Sequence, residues 1–467
     1  MSGVKSENGF PHNKACTVTV VGAGISGRSL AVLARKLGYS VFVTEIREID
    51  EYTRSVFKKN GILFESGGHS ARMIECDNMI LSSGVSPHSD PVVLASKNKI
   101  PILGELDFVG PLLKGDIIGI TGSNGKTTTT LLTGHLFVNA GFRTGIAGNV
   151  GSPLAEHAGI EHDVIVAELS SFQLFWARRF RLDLAVITNI EPDHIDWHGS
   201  FEEYYRSKKK ILELLPQNGE AICQFRDLSK LFPFGSERIM AIPLLWGRKN
   251  SSTADKAILM DEDQAVLAEG AKAVKLFEYA DIPLLGRHNL ENAAMSVAAF
   301  SLLDGNIRSV KPSLASFKAP SHRCELIAVI DGVSYINDSK GTNVAATVTA
   351  LSSLTGSKVV ILGGKGKGED YTLLASAVSK EAVGAVLIGE ERYRIRDALE
   401  EAGFKAFREA QTMKEAVGIA KEMAKRGDVV LLSPACTSWD MYANYKERGE
   451  DFKRSVEAFR SGDNDAG

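Results

Sequence analysis

Short apolar runs, each closed by a glycine or a polar turn and followed by residues at helical spacing, set the rhythm of this chain. TVTVV (Thr17 to Val21) runs into GAGISG and then RSLAVLARKLG, which predicts a strand, a glycine turn and a helix with Gly38 as its C-cap. SVFVTE follows and ends in Glu45, and NMILSSG repeats the strand-then-glycine punctuation at Gly84. Such alternation predicts parallel α/β units. Glycine and proline breaks across Ile100 to Asp116 put a domain border near residue 113. Beyond it IIGIT opens a second glycine turn, and DVIVAELSS and LAVITNIEPDH supply further strands. Residues 217 to 283 are less periodic and read as a mixed, partly β insert. NLENAAMSVAAFSLL reads as a helix, and the polar stretch KPSLASFKAPSHR suggests a second border near residue 320. SYIND, KVVILGG, AVLIG and DVVLLSPA then alternate with helical patterns. The expected fold class is α/β in three domains, over 1–113, 114–320 and 321–467.

Composition narrows the function without choosing it. The 467 residues are about three times a usual domain of roughly 150, which agrees with three cores. With 44% apolar and 24% charged residues the chain is neither disordered nor fibrous. A net charge of -3 and the lack of a long basic block argue against nucleic acid as the main partner. The 5 cysteines are odd in number and have no zinc-ligand spacing, as expected of reduced thiols. The polar start has no signal core and no run is long enough to span a bilayer, so a cytoplasmic protein without membrane anchoring is expected.

The sharpest chemical signal is DIIGITGSNGKTTTT, in which Gly122, Ser123, Asn124, Gly125, Lys126, Thr127 and Thr128 join a strand to a helix. Consecutive N–H groups at such a turn form an anion nest, Lys126 can reach β and γ phosphates, and Thr127 can ligate Mg2+. The strict phosphate-loop pattern wants glycine where Ile120 stands, so this is a variant of it. GAGISG, with Glu45 ending the next strand, reports a diphosphate on a helix N-terminus; NAD, FAD, another diphosphate or a plain turn all fit it.

Open parallel sheets bind ligands beyond the carboxyl ends of their strands. That rule gathers Glu168, Ser170, Gln173, Asn189, Asp193 and His194 near the phosphate loop, with Glu168 and His194 able to hold magnesium or orient phosphate. SFEEYYRSKKKILELL starts with a capping box of Ser200 and Glu203, and Phe201, Tyr204, Tyr205, Ile211, Leu212 and Leu215 form its apolar face. Lys208 falls on that face while Lys209 and Lys210 turn to solvent. It is either a snorkelling stem or a lysine aimed into a cleft. Asn289 and Asn292 in GRHNLEN stand at a helix start, as caps or facing a base. Arg323 in SHRCE, and Asp338, Ser339, Lys340 and Thr342 in NDSKGTN, are either turn residues or the edge of a cleft for nucleotide and anionic substrate.

Taken in order, GSNGKTT, ELSSFQ, NIEPDHIDWHGSFEEYYRSKKK, GRHNLEN, SHRCE, NDSKGTN and SPACTSWDMYANYKERGEDF resemble the Mur ligase family of ATP-dependent peptidoglycan precursor synthetases. GAGISG and SPACTSWD…RGEDF are most similar to its D-glutamate-adding members, and the DNPR motif of diaminopimelate-adding members is absent. The resemblance implies a Rossmann-like UDP-substrate domain, a central ATPase domain and a Rossmann-like amino-acid domain, in a monomer. It implies ATP and two Mg2+ ions, with UDP-N-acetylmuramoyl-L-alanine and D-glutamate as substrates joined through an acyl phosphate. Carried over by residue, Lys126, Glu168, His194 and Lys208 would be catalytic. Thr127, Glu168, His194 and a carbamylated Lys208 would hold metal, and the phosphate loop with Asn289, Asn292, Arg323 and Asp338 would hold ATP. Ile25, Ser26, Glu45, Ile46, Arg47, Ser82, Ser83 and Gly84, continued by Asn149, Ser170 and Gln173, would hold the UDP substrate. Thr342, Lys367, Ser438, Trp439 and Tyr445 would hold D-glutamate. Another amino-acid ligase of this superfamily, a folylpolyglutamate synthase included, is the near alternative; a nicotinamide-dependent oxidoreductase would explain GAGISG but leave GSNGKTT idle.

Overall fold

A computed structural model describes residues 16–232, 239–247, 255–284, 286–303, 305–318 and 320–462. The polar start of the chain and its last residues lie outside them, as do parts of the 217–283 insert. The α/β alternation appears as three sheets. The first holds β1 (Thr17–Val21), β2 (Ser40–Glu45), β3 (Leu63–Ser66), β4 (Asn78–Leu81) and β5 (Ile102–Gly104) in the order β3-β2-β1-β4-β5, all parallel. The order reverses at β1, so the GAGISG turn after β1 and the Ser82–Gly84 loop after β4 open at one switch point, where such sheets bind ligands. The turn is tight because the helix Ile25–Lys36 packs on the strand end; a Cβ on Gly27 would sit 1.9 Å from the Gly22 carbonyl.

The second sheet contains β6 (Lys114–Thr121), β7 (Thr144–Gly148), β8 (Glu161–Glu168), β9 (Leu184–Ile187) and β10 (Gly219–Gln224). It continues through β11 (Ile239–Trp246), β12 (Lys256–Met260), β13 (Gln264–Glu269) and β14 (Lys272–Glu278). Their order is β14-β13-β12-β11-β10-β9-β6-β8-β7. The phosphate-loop sequence follows β6, again where the order reverses. The insert is thus not a separate body: its strands add to the far edge of this sheet, the last two antiparallel. Their weak periodicity follows from position, since β13 and β14 leave several residues facing solvent.

The third sheet runs β15-β16-β20-β17-β18-β19, built from β15 (Glu325–Ile330), β16 (Val333–Asn337), β17 (Lys358–Gly363), β18 (Ala382–Ile388), β19 (Phe407–Glu409) and β20 (Val429–Leu432). Its parallel strands carry continuous apolar runs because both faces are buried, while β15 pairs antiparallel at one edge. The first two sheets lie in one compact unit with residues 293–314; residues 280–292 and the third sheet form another. Among the described residues no helix is long and apolar enough to cross a membrane.

Between the first two sheets, Asp107 is buried, and its carboxylate accepts the backbone N–H groups of Arg178 at 3.0 Å, Arg179 at 2.9 Å and Phe180 at 3.1 Å. One side chain thus satisfies three donors in the turn that leads to β9. Asp107→Ala leaves them without an acceptor and is expected to cost about 2–4 kcal/mol, read as a lower urea midpoint with an unchanged slope.

Candidate active site

The β6 strand delivers the phosphate loop into a cage of hydrogen bonds from the end of β9. Asn189 accepts the Ser123 N–H on its carbonyl at 2.8 Å and the Asn124 N–H on Oδ1 at 2.9 Å. Its amide and the Thr188 hydroxyl both donate to the Asn124 carbonyl, at 3.0 and 2.5 Å. Two backbone donors of the expected anion nest therefore fix the loop itself. Ser123 Oγ bridges the Glu191 backbone and the Tyr204 hydroxyl. Gly122, at φ +148°, has no room for a side chain: a Cβ would lie 1.9 Å from Thr188 Oγ1.

Two lysines converge on this loop. Lys126 Nζ donates to the Gly122 and Ser123 carbonyls, both at 2.8 Å. Lys208 Nζ donates to the same Gly122 carbonyl at 2.6 Å, lies 4.8 Å from the centre of the Tyr204 ring and is 1% exposed. Burial, and then the charge of Lys126, pushes the Lys208 amine well below its ordinary value, against the weaker pull of Asp193 and Glu168. The helix Phe201–Lys209 thus aims Lys208 inward, and the snorkelling alternative fails. Two expectations about that helix need correction. Ser200 accepts the Glu203 N–H, but the Glu203 carboxylate pairs with Arg206 at 2.7 Å, so the capping box is half made. Lys209 stays at the surface, its amine bonded to the Lys230 carbonyl, but Lys210 does not run to solvent: half-buried, its amine bends to the Phe175 carbonyl, a backbone acceptor within reach of its stem.

Glu168 ends β8 almost wholly buried. Its Oε1 accepts from the Asn149 amide at 3.0 Å, while Oε2 is buried with no partner, an arrangement that fits a cation. Among the described residues no three His, Cys, Asp or Glu side chains converge, so a magnesium ion here would complete its shell with phosphate oxygens and water. His194 is held at φ 50°, its ring edge-on to Phe172 at 4.8 Å and its Nε2 3.6 Å from Asp193 Oδ2. Thr127, in the first turn of the helix that follows the loop, is half-buried.

Asn149 also lines a cleft of about 630 Å³ that begins at the GAGISG turn. Its walls include Ile25, Ser26, Glu45, Ile46, Arg47, Ser82, Ser83, Gly84 and Gln173. Every residue expected at the UDP substrate therefore meets there except Ser170, which instead forms a capping box with Gln173. Ser26 Oγ is buried, close to the Glu105 carboxylate. The Glu45 carboxylate turns onto the backbone, accepting the Ala23 N–H at 2.7 Å and the Arg47 N–H at 3.0 Å. Four residues in or beside this cleft were given no role from the sequence. Glu105 is buried in its floor and accepts from the Gln173 amide at 3.3 Å; burial pushes its carboxyl up. His69 lines its far end. The indole N–H groups of Trp176 and Trp197 donate to the Val85 and Gly84 carbonyls, tying the loop after β4 to the second sheet's helices. A glutamate in a border segment and two tryptophans in helices carry no pattern that announces such contacts.

In the other unit, Asn289 and Asn292 stand inside the helix Arg287–Leu302 rather than capping it, buried and bonded to each other at 3.3 Å. Burial, and then Arg323, holds the neighbouring His288 down at about 4. Asp338 is buried, accepts from the Ser433 hydroxyl at 2.7 Å and is pushed up to about 6 by burial, with Arg323 pulling the other way. Arg323 thus sits among the expected nucleotide residues. Arg448, 1% exposed, binds Ser339 and the carbonyls of Cys436 and Thr437, just before Ser438; Ser339 Oγ in turn donates to the Tyr445 carbonyl. Thr342 lies in the turn beside Lys340, whose amine stands 4.0 Å from the centre of the Tyr445 ring. Lys367 is exposed on the neighbouring loop, and Trp439, 67% exposed, makes no ring contact or side-chain hydrogen bond among the described residues.

Family models match along the chain: the MurD N-terminal domain over residues 17–91, the Mur ligase middle domain over 120–300 and the Mur ligase glutamate ligase domain over 322–436. UDP-N-acetylmuramoylalanine–D-glutamate ligase of Pseudothermotoga lettingae is 34% identical over 94% of this chain and 98% of its own. The enzyme of that name from Bacteroides fragilis is 35% identical over 94% and 99%. Among solved structures, a pseudomurein peptide ligase type C from Methanothermus fervidus superposes with a TM-score of 0.59 at 19% identity, covering 95% of this chain and 100% of that one. UDP-N-acetylmuramate-alanine ligase of Thermotoga maritima gives 0.58 at 20% identity, covering 96% and 100%. These two likenesses concern the fold.

The crowding at Gly122 makes a direct test of the loop. Gly122→Ala is expected to displace it from Thr188 and Asn189 and to weaken ATP binding at least about tenfold, measured by calorimetry, with the circular dichroism spectrum retained. Unchanged affinity would take the nucleotide away from this loop.

Proposed function

The chain belongs to the Mur ligase family, and we propose that it performs the reaction its relatives are named for, the ATP-dependent addition of D-glutamate to UDP-N-acetylmuramoyl-L-alanine. The observation that carries this reading is one continuous path. The cleft at the GAGISG turn reaches Asn149, Asn149 holds Glu168, and Glu168 acts on Lys208, which touches the phosphate loop. A diphosphate anchored at the first turn can therefore present its distal carboxylate to a nucleotide's γ-phosphate at the second. A nicotinamide reading leaves the phosphate loop without a role.

In this mechanism the UDP-substrate domain spans 1–113, the ATP domain 114–320 and the amino-acid domain 321–467. The alanine carboxylate attacks the γ-phosphorus of ATP, the bond to the β-phosphate oxygen breaks, and acyl phosphate and ADP form. The amine of D-glutamate then attacks the acyl carbon, phosphate leaves and the amine loses a proton. Lys126 swings from the carbonyls of its own loop to the β and γ phosphates and neutralises the charge they develop. Magnesium, when bound, supplies Lewis-acid charge to the phosphate oxygens, and Thr127, Glu168 and His194 are the side chains that would hold it, at one or two sites. Asn149 orients Glu168. Asn289, Asn292, Arg323 and Asp338 serve the nucleotide, and Thr342, Lys367, Ser438, Trp439 and Tyr445 serve D-glutamate. The protein acts as a cytoplasmic monomer.

Lys208 has the properties that carbamylation requires. Only a neutral amine attacks CO2, forming an N–C bond and releasing a proton, and the burial and neighbouring cation that disfavour the charge of Lys208 favour that neutral form. The product is an anion beside Lys126 and the phosphate loop, where a fourth metal ligand is wanted. Lys208→Ala is expected to lower turnover at least about a hundredfold with the fold intact, and millimolar acetate or propionate to restore part of it. A variant of near-normal activity would remove Lys208 from the mechanism. The reaction itself is checked by phosphate release with ATP, magnesium and UDP-N-acetylmuramoyl-L-alanine, offering D-glutamate, L-glutamate, L-alanine, L-lysine and diaminopimelate in parallel. Release is expected with D-glutamate alone; release with another amino acid would keep the chemistry and move the specificity.

A further inference from the structure

The diphosphate belongs at the N-terminus of the helix Ile25–Lys36, so a nucleoside attached to it extends over the carboxyl ends of β2 and β3. Glu45, Ile46, Arg47 and His69 line the cleft there. The acid that ends the second strand is the expected ligand of the nucleoside in such folds, but both Glu45 oxygens are engaged by backbone N–H groups and the residue is 8% exposed. Ile46 offers an apolar side chain, 65% exposed, against which a base can lie. Arg47 carries only donors, on a side chain 87% exposed, so the lining group whose hydrogen-bonding direction is fixed from behind is His69.

That character follows from a relay behind the ring. Glu65 Oε1 accepts the Ser70 N–H at 3.0 Å and the Thr44 hydroxyl at 2.6 Å. Burial pushes the Glu65 carboxyl up, but the Ser70 and Thr44 donors and the nearby His69 together hold it below its ordinary value. It is therefore an ionised, acceptor-only group, and the single hydroxyl hydrogen of Thr44 is spent on it. Thr44 Oγ1 also lies 2.7 Å from His69 Nδ1, a contact that works only if Nδ1 carries the hydrogen and Thr44 accepts. In the neutral ring Nε2 is then a bare acceptor, and among the described residues it has no protein partner.

We propose that His69 reads the base: its Nε2 accepts the N3–H of uracil and so selects uridine over cytidine nucleotides. Uracil attached through N1 keeps one ring N–H, at N3, whereas cytosine presents a lone pair there, which would face the lone pair of Nε2. This specificity rests on the UDP-substrate reading above. A half-buried acceptor whose direction is fixed beforehand is left unpaired by the analogue that lacks the matching donor, and such a site discriminates more strongly than an apolar pocket rejects a methylene.

Calorimetric titration of the full chain with UDP, CDP and 3-methyl-UDP, for the wild type, His69→Phe and His69→Gln, tests this. The wild type is expected to bind UDP at least about tenfold tighter than either analogue. His69→Phe should bind UDP about tenfold more weakly and bring UDP and CDP within threefold, with ATP affinity unchanged as the sign of an intact fold. His69→Gln, whose amide can present either its oxygen or its NH2, should also bring UDP and CDP within threefold. Wild-type discrimination retained in both variants, or 3-methyl-UDP bound as tightly as UDP by the wild type, would overturn the role of His69 while leaving the uridine site standing. If His69→Phe does not fold, the glutamine variant and the methylated nucleotide decide. No binding of UDP by the wild type would overturn the uridine reading itself and the proposal with it.

Discussion

One carbonyl oxygen, that of Gly122, receives the amines of both Lys126 and Lys208, and much of the surrounding structure is organised by that meeting. Two full positive charges so close, one of them wholly buried, would be costly without a compensating anion. Two features bear on that cost: burial and Lys126 push the Lys208 amine below its ordinary value, and Glu168 and Asp193 stand near enough to oppose the shift. Neither remedy is complete. What remains is a pocket biased toward further negative charge, which a triphosphate and a carbamate would supply. On the proposed reading, that bias is one a bound triphosphate would meet, so the arrangement that is costly in the empty site would favour the loaded one.

Holding that arrangement requires rigid supports, and they come from strand ends. Both glycine turns lie where strand order reverses, one after β1 and one after β6, so each sheet opens a crevice at its carboxyl edge. The two crevices become one working surface through side chains that cross between the first two sheets. Gln173 reaches Glu105, Trp197 and Trp176 hold the loop after β4, and Asp107 binds the turn before β9. None of these contacts is itself chemistry. They fix the distance between a diphosphate anchor and a phosphoryl donor, and an acyl-phosphate reaction depends on that distance more than on any single side chain.

Legibility in the sequence follows the same division. Strands buried on both faces, such as KVVILG and DVVLL, were plain because the pattern and the burial agree, and both glycine turns were plain because backbone geometry demands glycine there. Spacing put Lys208 on the inward face with Tyr204 and Ile211, but only its burial decided between a snorkelling stem and an amine aimed inward. The far strands β13 and β14 were not legible, because strands at or next to a solvent-facing edge lose the apolar run that marks a central one. Nor were Glu105, His69 and the two tryptophans, whose roles come from residues distant in sequence. Ser170 and Glu45 carry a structural task that their strand-end positions did not announce: one caps a helix and the other holds the glycine turn.

Glu45 also explains why recognition of the base falls to a residue no motif contains. A short turn that brings backbone N–H groups to a diphosphate must be held in place before the ligand arrives, and a buried carboxylate accepting the Ala23 and Arg47 N–H groups does so at little entropic cost. The same carboxylate, with both oxygens already engaged, has little freedom left to follow a base or ribose. Specificity then moves one strand outward, to a ring whose tautomer is set by Thr44 and Glu65 behind it. Anchoring and reading are thereby separated: the acid at the end of β2 fixes where the diphosphate sits, and the histidine after β3 can sense which base it carries. Changes around His69 can accordingly retune nucleotide choice without loosening the turn on which substrate placement depends.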